Sequence, residues 1–124
     1  MIQLLIVEDQ LAVRKGLHMR LAVEAGLSII GEVTDFEATS DLPRSLFPDV
    51  SLIDADMPHA DGIAMVSKFH STYSQSAIIV LSHHDDKIIR ARAIEAGAAA
   101  FVVKSLPPDA LLAAIHEVAD SQLQ

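Results

Sequence analysis

Four short runs of apolar, largely branched residues, each closing on a polar side chain, constrain this chain more than any other feature. Val50-Ser51-Leu52-Ile53 closes on Asp54, Leu4-Leu5-Ile6-Val7 on Glu8-Asp9, Ala77-Ile78-Ile79-Val80-Leu81 on Ser82, and Ala100-Phe101-Val102-Val103 on Lys104. Runs of this length and composition read as strands buried on both faces, which is the pattern of a parallel sheet. In an open, doubly wound parallel sheet the carboxyl ends line one edge, and ligands bind in the crevice there, where strand order reverses. The sequence therefore predicts that Glu8, Asp9, Asp54, Ser82 and Lys104 converge.

Helical patterns fill the intervals. After a strand over residues 2–7, Asp9 or Gln10 opens a helix with Val13, Leu17 and Leu21 on its apolar side, closed by Gly26. A second strand spans Leu27 to Val33, and Thr34-Asp35 is placed to cap a helix from about Phe36. Pro43 removes an amide donor and clashes with the preceding turn, so that helix is expected to stop or kink near Leu42, with a separate turn carrying Arg44 to Phe47. Beyond Asp54, Asp61 caps a helix that buries Ile63, Val66 and Phe69 or His70, and Tyr73 to Ser76 forms a loop. An Ala-rich helix from about Lys87 to Ala96 ends at Gly97, and a fifth strand runs from Ala99 to Val103. The last helix starts within Ser105-Leu106-Pro107-Pro108-Asp109, where proline is tolerated, with Leu111 or Leu112, Ile115 and Val118 as its stripe. Five strand–helix pairs with right-handed crossovers give an α/β fold, a parallel sheet covered on both faces.

A chain of 124 residues has room for one domain, expected over residues 1–118, with 119–124 as the start of a linker or tail. Composition narrows the partners. The net charge is −8 with no Lys/Arg-rich run, which argues against direct contact with nucleic acid. With no cysteine, disulfides and thiolate metal sites are excluded, and a reducing, cytoplasmic setting fits. The N-terminal apolar run is too short for a signal peptide, and no run reaches the length of a membrane span.

The turn after the first strand separates the doubly wound families. Dinucleotide binders carry a glycine-rich turn there, whereas this chain has Glu8-Asp9-Gln10, so a nucleotide cofactor is not expected. Acidic groups held close repel each other and favour a hard, oxygen-seeking ion such as Mg²⁺. Such an ion invites phosphate. With Lys104 and Ser82 holding the other oxygens, Asp54 would be left to attack phosphorus in line, and these residue types suffice for reversible aspartyl phosphorylation.

These motifs, in this order, resemble the receiver domains of two-component response regulators over residues 2 to about 118. They comprise Glu8-Asp9, Asp54, Met57-Pro58, Asp61-Gly62, Ser82, Phe101 and Lys104. The wording around Leu81-Ser82 and Gly97-Ala98-Ala99-Ala100-Phe101 is most similar to the LuxR/NarL-type subfamily. The resemblance implies a flavodoxin-like, CheY-like (βα)5 fold with strand order 2-1-3-4-5. It implies Asp54 as phospho-acceptor and Mg²⁺ held by Glu8, Asp9, Asp54 and the backbone carbonyl of Asp56. Ser82 and Lys104 then hold the phosphoryl oxygens, and Ser82 with Phe101 forms the switch. It further implies a sensor histidine kinase or a small-molecule phosphodonor as partner, a homodimer on phosphorylation, and DNA contact only through an output domain absent from this chain.

Several positions depart from the family pattern. His83 follows the hydroxyl where a small residue is common, and Asp56 adds a negative charge two residues past the acceptor. Together with His84, across the crevice and able to pair with Asp56, these residues are expected to tune the lifetime of the phosphorylated state. Lys104 precedes Ser105 where many receivers place a cis proline; a non-proline cis bond costs roughly 2.5–4 kcal/mol, so trans is expected. Asp54-Ala55-Asp56 is also the Asp-x-Asp of haloacid-dehalogenase-type phosphatases, but there an acidic pair follows the lysine, and here Glu8-Asp9 comes first. A degenerate receiver serving only as an interaction module is disfavoured by the full set of site residues. His83-His84-Asp85-Asp86 lacks a metal-ligand spacing, and His18, His70 and His116 read as residues of solvated helix faces.

Overall fold

The computed structural model describes residues 1–43, 45, 47–58, 61–104 and 108–122. Five strands, β1 (Ile2–Val7), β2 (Leu27–Val33), β3 (Val50–Asp54), β4 (Ala77–Ser82) and β5 (Ala100–Val103), form one sheet in the order β2-β1-β3-β4-β5. Every pairing is parallel. The apolar runs become strands because they are wanted on both faces. Every residue of β3 and β4 is buried, with alternate side chains feeding opposite layers. Leu52, Ile79 and Leu81 enter one layer with Leu21 of α1 (Leu11–Ala22) and Leu111, Ile115 and Val118 of α4 (Pro108–Gln122). Ile53, Ile78 and Val80 enter the other with Met65, Val66 and Phe69 of α2 (Gly62–Thr72) and Ala93 of α3 (Lys87–Ala96). A fully buried Leu or Ile contributes about 1.5–3 kcal/mol, and the two layers clamp the sheet from both sides.

The fold is the one expected, with local differences that have physical causes. The segment after β2 is a 3-10 helix over Glu37–Asp41, not an α-helix. Asp35 caps it through Ala38 N–H at 2.8 Å, as its position predicted. Thr39 and Ser40 hydroxyls then donate to the Phe36 and Glu37 carbonyls, and Leu42 turns extended ahead of Pro43. Two turns are all the chain allows before proline, too few to repay α-helix nucleation. The expected turn over Arg44 to Phe47 includes Arg44 and Leu46, which lie outside the described residues.

The first helix ends at Ala22 instead of Gly26. Amide bonds of Glu24 to Leu21 and Leu27 to Glu24 tighten the chain into a turn, and Gly26 offers its carbonyl to Ile2. Within α2 it is Phe69 that is buried, while His70 is exposed; His18 and His116 are exposed as well. Packed structure continues past residue 118, since α4 runs to Gln122 and Ala119 is buried against the core. No helix is long and apolar enough to cross a membrane among the described residues.

Two glycines are required by geometry. At Gly62, the first residue of α2, a Cβ would strike the Asp54 carbonyl oxygen and lie 2.9 Å from Ala55 Cα. At Gly97, φ is +121°, and the turn also leaves room for the His70 ring.

Candidate functional site

The parallel register carries the polar ends of β1, β3, β4 and β5 to one edge. Asp54 is paired across the ladder with Leu81, Ser82 with Val103, and Lys104 N–H donates to the Ser82 carbonyl at 2.7 Å. Glu8, Asp54 and Ser82 are each at most 1% exposed. Buried charges of this kind persist only when paired or hydrogen-bonded.

Asp54 meets that condition with partners on both oxygens. Its Oδ1 accepts from Asp56 N–H at 2.7 Å, and its Oδ2 takes the Lys104 ammonium. Burial alone would raise this carboxyl. A hydrogen bond from Glu8, the bond from Lys104 and the Asp56 amide together hold it below the usual carboxylate range.

Glu8 behaves oppositely. Its Oε1 accepts from Gln10 N–H at 2.9 Å, and no donor reaches its buried Oε2. Burial first, and the adjoining Asp54 carboxylate second, push Glu8 from its ordinary 4.5 up to about 8. Near neutral pH Glu8 thus keeps a proton that it shares with Asp54. The Arg14 guanidinium holds the Glu8 carbonyl at 2.9 Å and pins the turn. Asp9, the next residue, is half-buried.

The third carboxylate is folded over the crevice. Asp56 Oδ1 accepts from Ser82 Oγ at 3.0 Å and Oδ2 from His83 N–H at 2.6 Å, while Lys104 Nζ stands 3.6 Å from Oδ2. Ser82 Oγ in turn accepts from His84 N–H at 3.1 Å. The two histidines contribute backbone amides, and both residues are exposed. The pairing expected between the His84 ring and Asp56 is not among the contacts of the described residues; the His83 amide takes that place. Asp85 pairs with Arg90, and Asp86 caps α3 through Ile88 and Ile89, so the run His83-His84-Asp85-Asp86 organises a helix start.

Around this core, Asp61 caps α2 by accepting from Ala64 N–H at 3.0 Å, and Met57 is buried in the apolar layer with Met65 and Phe69. Phe101 is buried in β5, and its ring is covered by the Arg90 guanidinium 4.8 Å from the centroid. Three contributors escaped sequence reasoning: the His83 amide, Arg14 and Arg90. A backbone donor has no residue-type signature, and both arginines act across elements. The bond from Lys104 to Ser105 lies outside the described residues.

The donor set suits a hard divalent cation. Glu8 presents a buried oxygen that no donor reaches, beside a second buried carboxylate. An ion such as Mg²⁺ retains waters and takes one or two carboxylates, so these two side chains are the ones that could hold it.

Comparison with known proteins agrees with this geometry. Residues 4–116 match the response regulator receiver domain. The chain is 30% identical over 118 residues to the transcriptional regulatory protein DegU of Brevibacillus brevis, covering 95% of this chain and 50% of that protein. It is 36% identical over 121 residues to the transcriptional regulatory protein UhpA of Salmonella typhimurium, covering 96% of this chain and 59% of that protein. It therefore spans about half the length of these curated relatives. Among solved structures, the signal receiver domain of the response regulator NarL from Mycobacterium tuberculosis superposes with a TM-score of 0.83 at 26% identity, covering 96% of each chain. Sequence, fold and the match across nearly the whole chain lead to one conclusion: it belongs to the response regulator receiver domains of two-component systems.

Proposed function

We propose that this domain is a phosphorylation switch whose acceptor is Asp54. The observation that carries it is the Asp54 carboxylate itself, buried at the sheet edge with one oxygen on the Lys104 ammonium and the other on the Asp56 amide. Pairing leaves Asp54 a nucleophile although it is buried. An Asp54 oxygen attacks phosphorus, and the bond from phosphorus to the donor breaks, its electron pair leaving with the donor. Lys104 and Ser82 then turn to the phosphoryl oxygens. Glu8, Asp9, Asp54 and the Asp56 backbone carbonyl would hold Mg²⁺, which when bound neutralises charge between carboxylate and phosphoryl oxygens.

A sensor histidine kinase or a small phosphodonor supplies the group. Ser82, drawn to it, opens space toward Phe101, and the face formed by α3, β5 and α4 shifts between two packings. Arg90 ties α3 to that motion through the Phe101 ring. Likeness to transcriptional regulators supports an output on DNA through a further domain, with dimerisation on phosphorylation as the relay. The phosphatase reading draws no support from the family match. Incubation with acetyl phosphate and Mg²⁺, followed by intact-mass spectrometry, should show one added phosphoryl group on the domain and none on Asp54→Asn. Equal labelling of that variant would refute the assignment.

A further inference from the structure

The Asp56 carboxylate is the feature that the proposed switch leaves unexplained. A charged side chain in the turn after β3 would ordinarily reach for water. Here it bends back over the crevice and is only 19% exposed. Its two oxygens receive the Ser82 hydroxyl and the His83 amide, with the Lys104 ammonium close by. A hydroxyl, a backbone amide and an ammonium converging on one small anion make a complete recognition set for the oxygens of a phosphoryl group. The anion they hold belongs to the protein.

We propose that Asp56 is an intramolecular stand-in for the phosphoryl group, so that phosphorylation of Asp54 proceeds by displacing it. The inference rests on Asp54 being the acceptor. The geometry makes the two anions mutually exclusive. Lys104 already bridges Asp54 and Asp56, and Ser82 has one proton to donate. A phosphoryl group on Asp54 must claim those same donors, and like charges without donors between them repel. Asp56 is well placed to return, because its own amide is anchored on Asp54 Oδ1 at 2.7 Å and the side chain has only to swing about that anchor. Ser82, the His83 amide and Lys104 thereby have an acceptor in the resting state, and any incoming phosphoryl group competes with a tethered ligand.

Competition of this kind lowers apparent affinity by the fraction of time the site is free. A resident seated nine-tenths of the time weakens a mimic by roughly tenfold. The test is calorimetric titration of the full chain with beryllofluoride in the presence of Mg²⁺, comparing wild type with Asp56→Ala, Asp56→Asn and Asp54→Asn. Asp56→Ala should bind about tenfold more tightly. Asp56→Asn should fall between, since its amide oxygen still accepts from Ser82 and His83 but carries no charge. In amide NMR spectra without ligand, the His83 N–H signal should move on Asp56→Ala, and it should coincide in the two proteins once beryllofluoride is bound. Unchanged or weaker binding by Asp56→Ala overturns the inference, because it would make Asp56 a bystander or a helper. If that variant does not fold, Asp56→Asn decides on the same criterion. Binding that survives in Asp54→Asn, or is absent from wild type, overturns instead the assignment of Asp54.

Discussion

The proton on Glu8 makes stability depend on pH in the direction opposite to that of a paired carboxylate such as Asp54. Glu8 titrates near 8 in the folded chain and at 4.5 when exposed, so the folded state binds the proton more tightly. Its contribution is fully present below about pH 4.5 and is lost as pH rises toward 8. Asp54, held low, works the other way, but only at acid pH below its ordinary value. Between pH 5 and 7.5 the Glu8 effect therefore stands alone in this pair, and at about 1.4 kcal/mol per unit it amounts to roughly 3 kcal/mol. For a domain of this size that corresponds to a fall in Tm of about 10 °C. Glu8→Gln reproduces the protonated form: its oxygen can accept from Gln10 N–H and its amide can donate toward Asp54. Urea unfolding from pH 5 to 7.5 in buffer free of divalent cations should show wild type losing stability relative to the variant. The variant's advantage over wild type should grow by about 3 kcal/mol between pH 5 and pH 7.5. Parallel curves across that range would refute a protonated Glu8.

Gly62→Ala should destabilise the domain by about 1–2 kcal/mol, the overpacking against Asp54 exceeding what alanine adds to helix propensity, as read by urea unfolding. Because the clash falls on the Asp54 carbonyl, the same variant should also be labelled more slowly by acetyl phosphate; normal rates would show that the loop has slack. We further propose that Asp56, once displaced, accepts the proton of the water that attacks phosphorus. Asp56→Asn should therefore slow decay of the phosphorylated domain, and faster or unchanged decay would remove that role.

The sheet and its polar edge were legible because each of four strands is a contiguous apolar run with its polar residue at the end, a pattern wholly local in sequence. Caps were legible for the same local reason, as at Asp35 and Asp61. The segment after β2 was harder. Its cap and its stop at Pro43 are written in residue types, but the choice between α and 3-10 turns on hydroxyls bonding nearby carbonyls within a span too short for propensity to decide. The arrangement of Asp56 depends on the approach of the β3 and β4 turns and on a backbone amide, neither of which leaves a mark in residue identity. The aromatic at 101 was visible; the guanidinium that covers it from α3 was not.

The brevity of that 3-10 helix has a further consequence. β2 is an edge strand paired only with β1, and most of its residues are partly exposed, whereas β3 and β4 are buried throughout. Where an α-helix would have spread a broad apolar stripe over this flank, among the described residues only the partly buried Ala38 and Leu42 do so, aided by Phe36 set edge-on to Phe69 at 5.1 Å. Cooperative units with little buried contact open at the smallest free energy. Amide protons of β2 and the turn beyond it should then exchange with solvent through local fraying, while those of β3 and β4 await global unfolding. The strands that carry Asp54 and Ser82 therefore belong to the slow-exchanging heart of the domain, and the chain can breathe at its far margin without disturbing them.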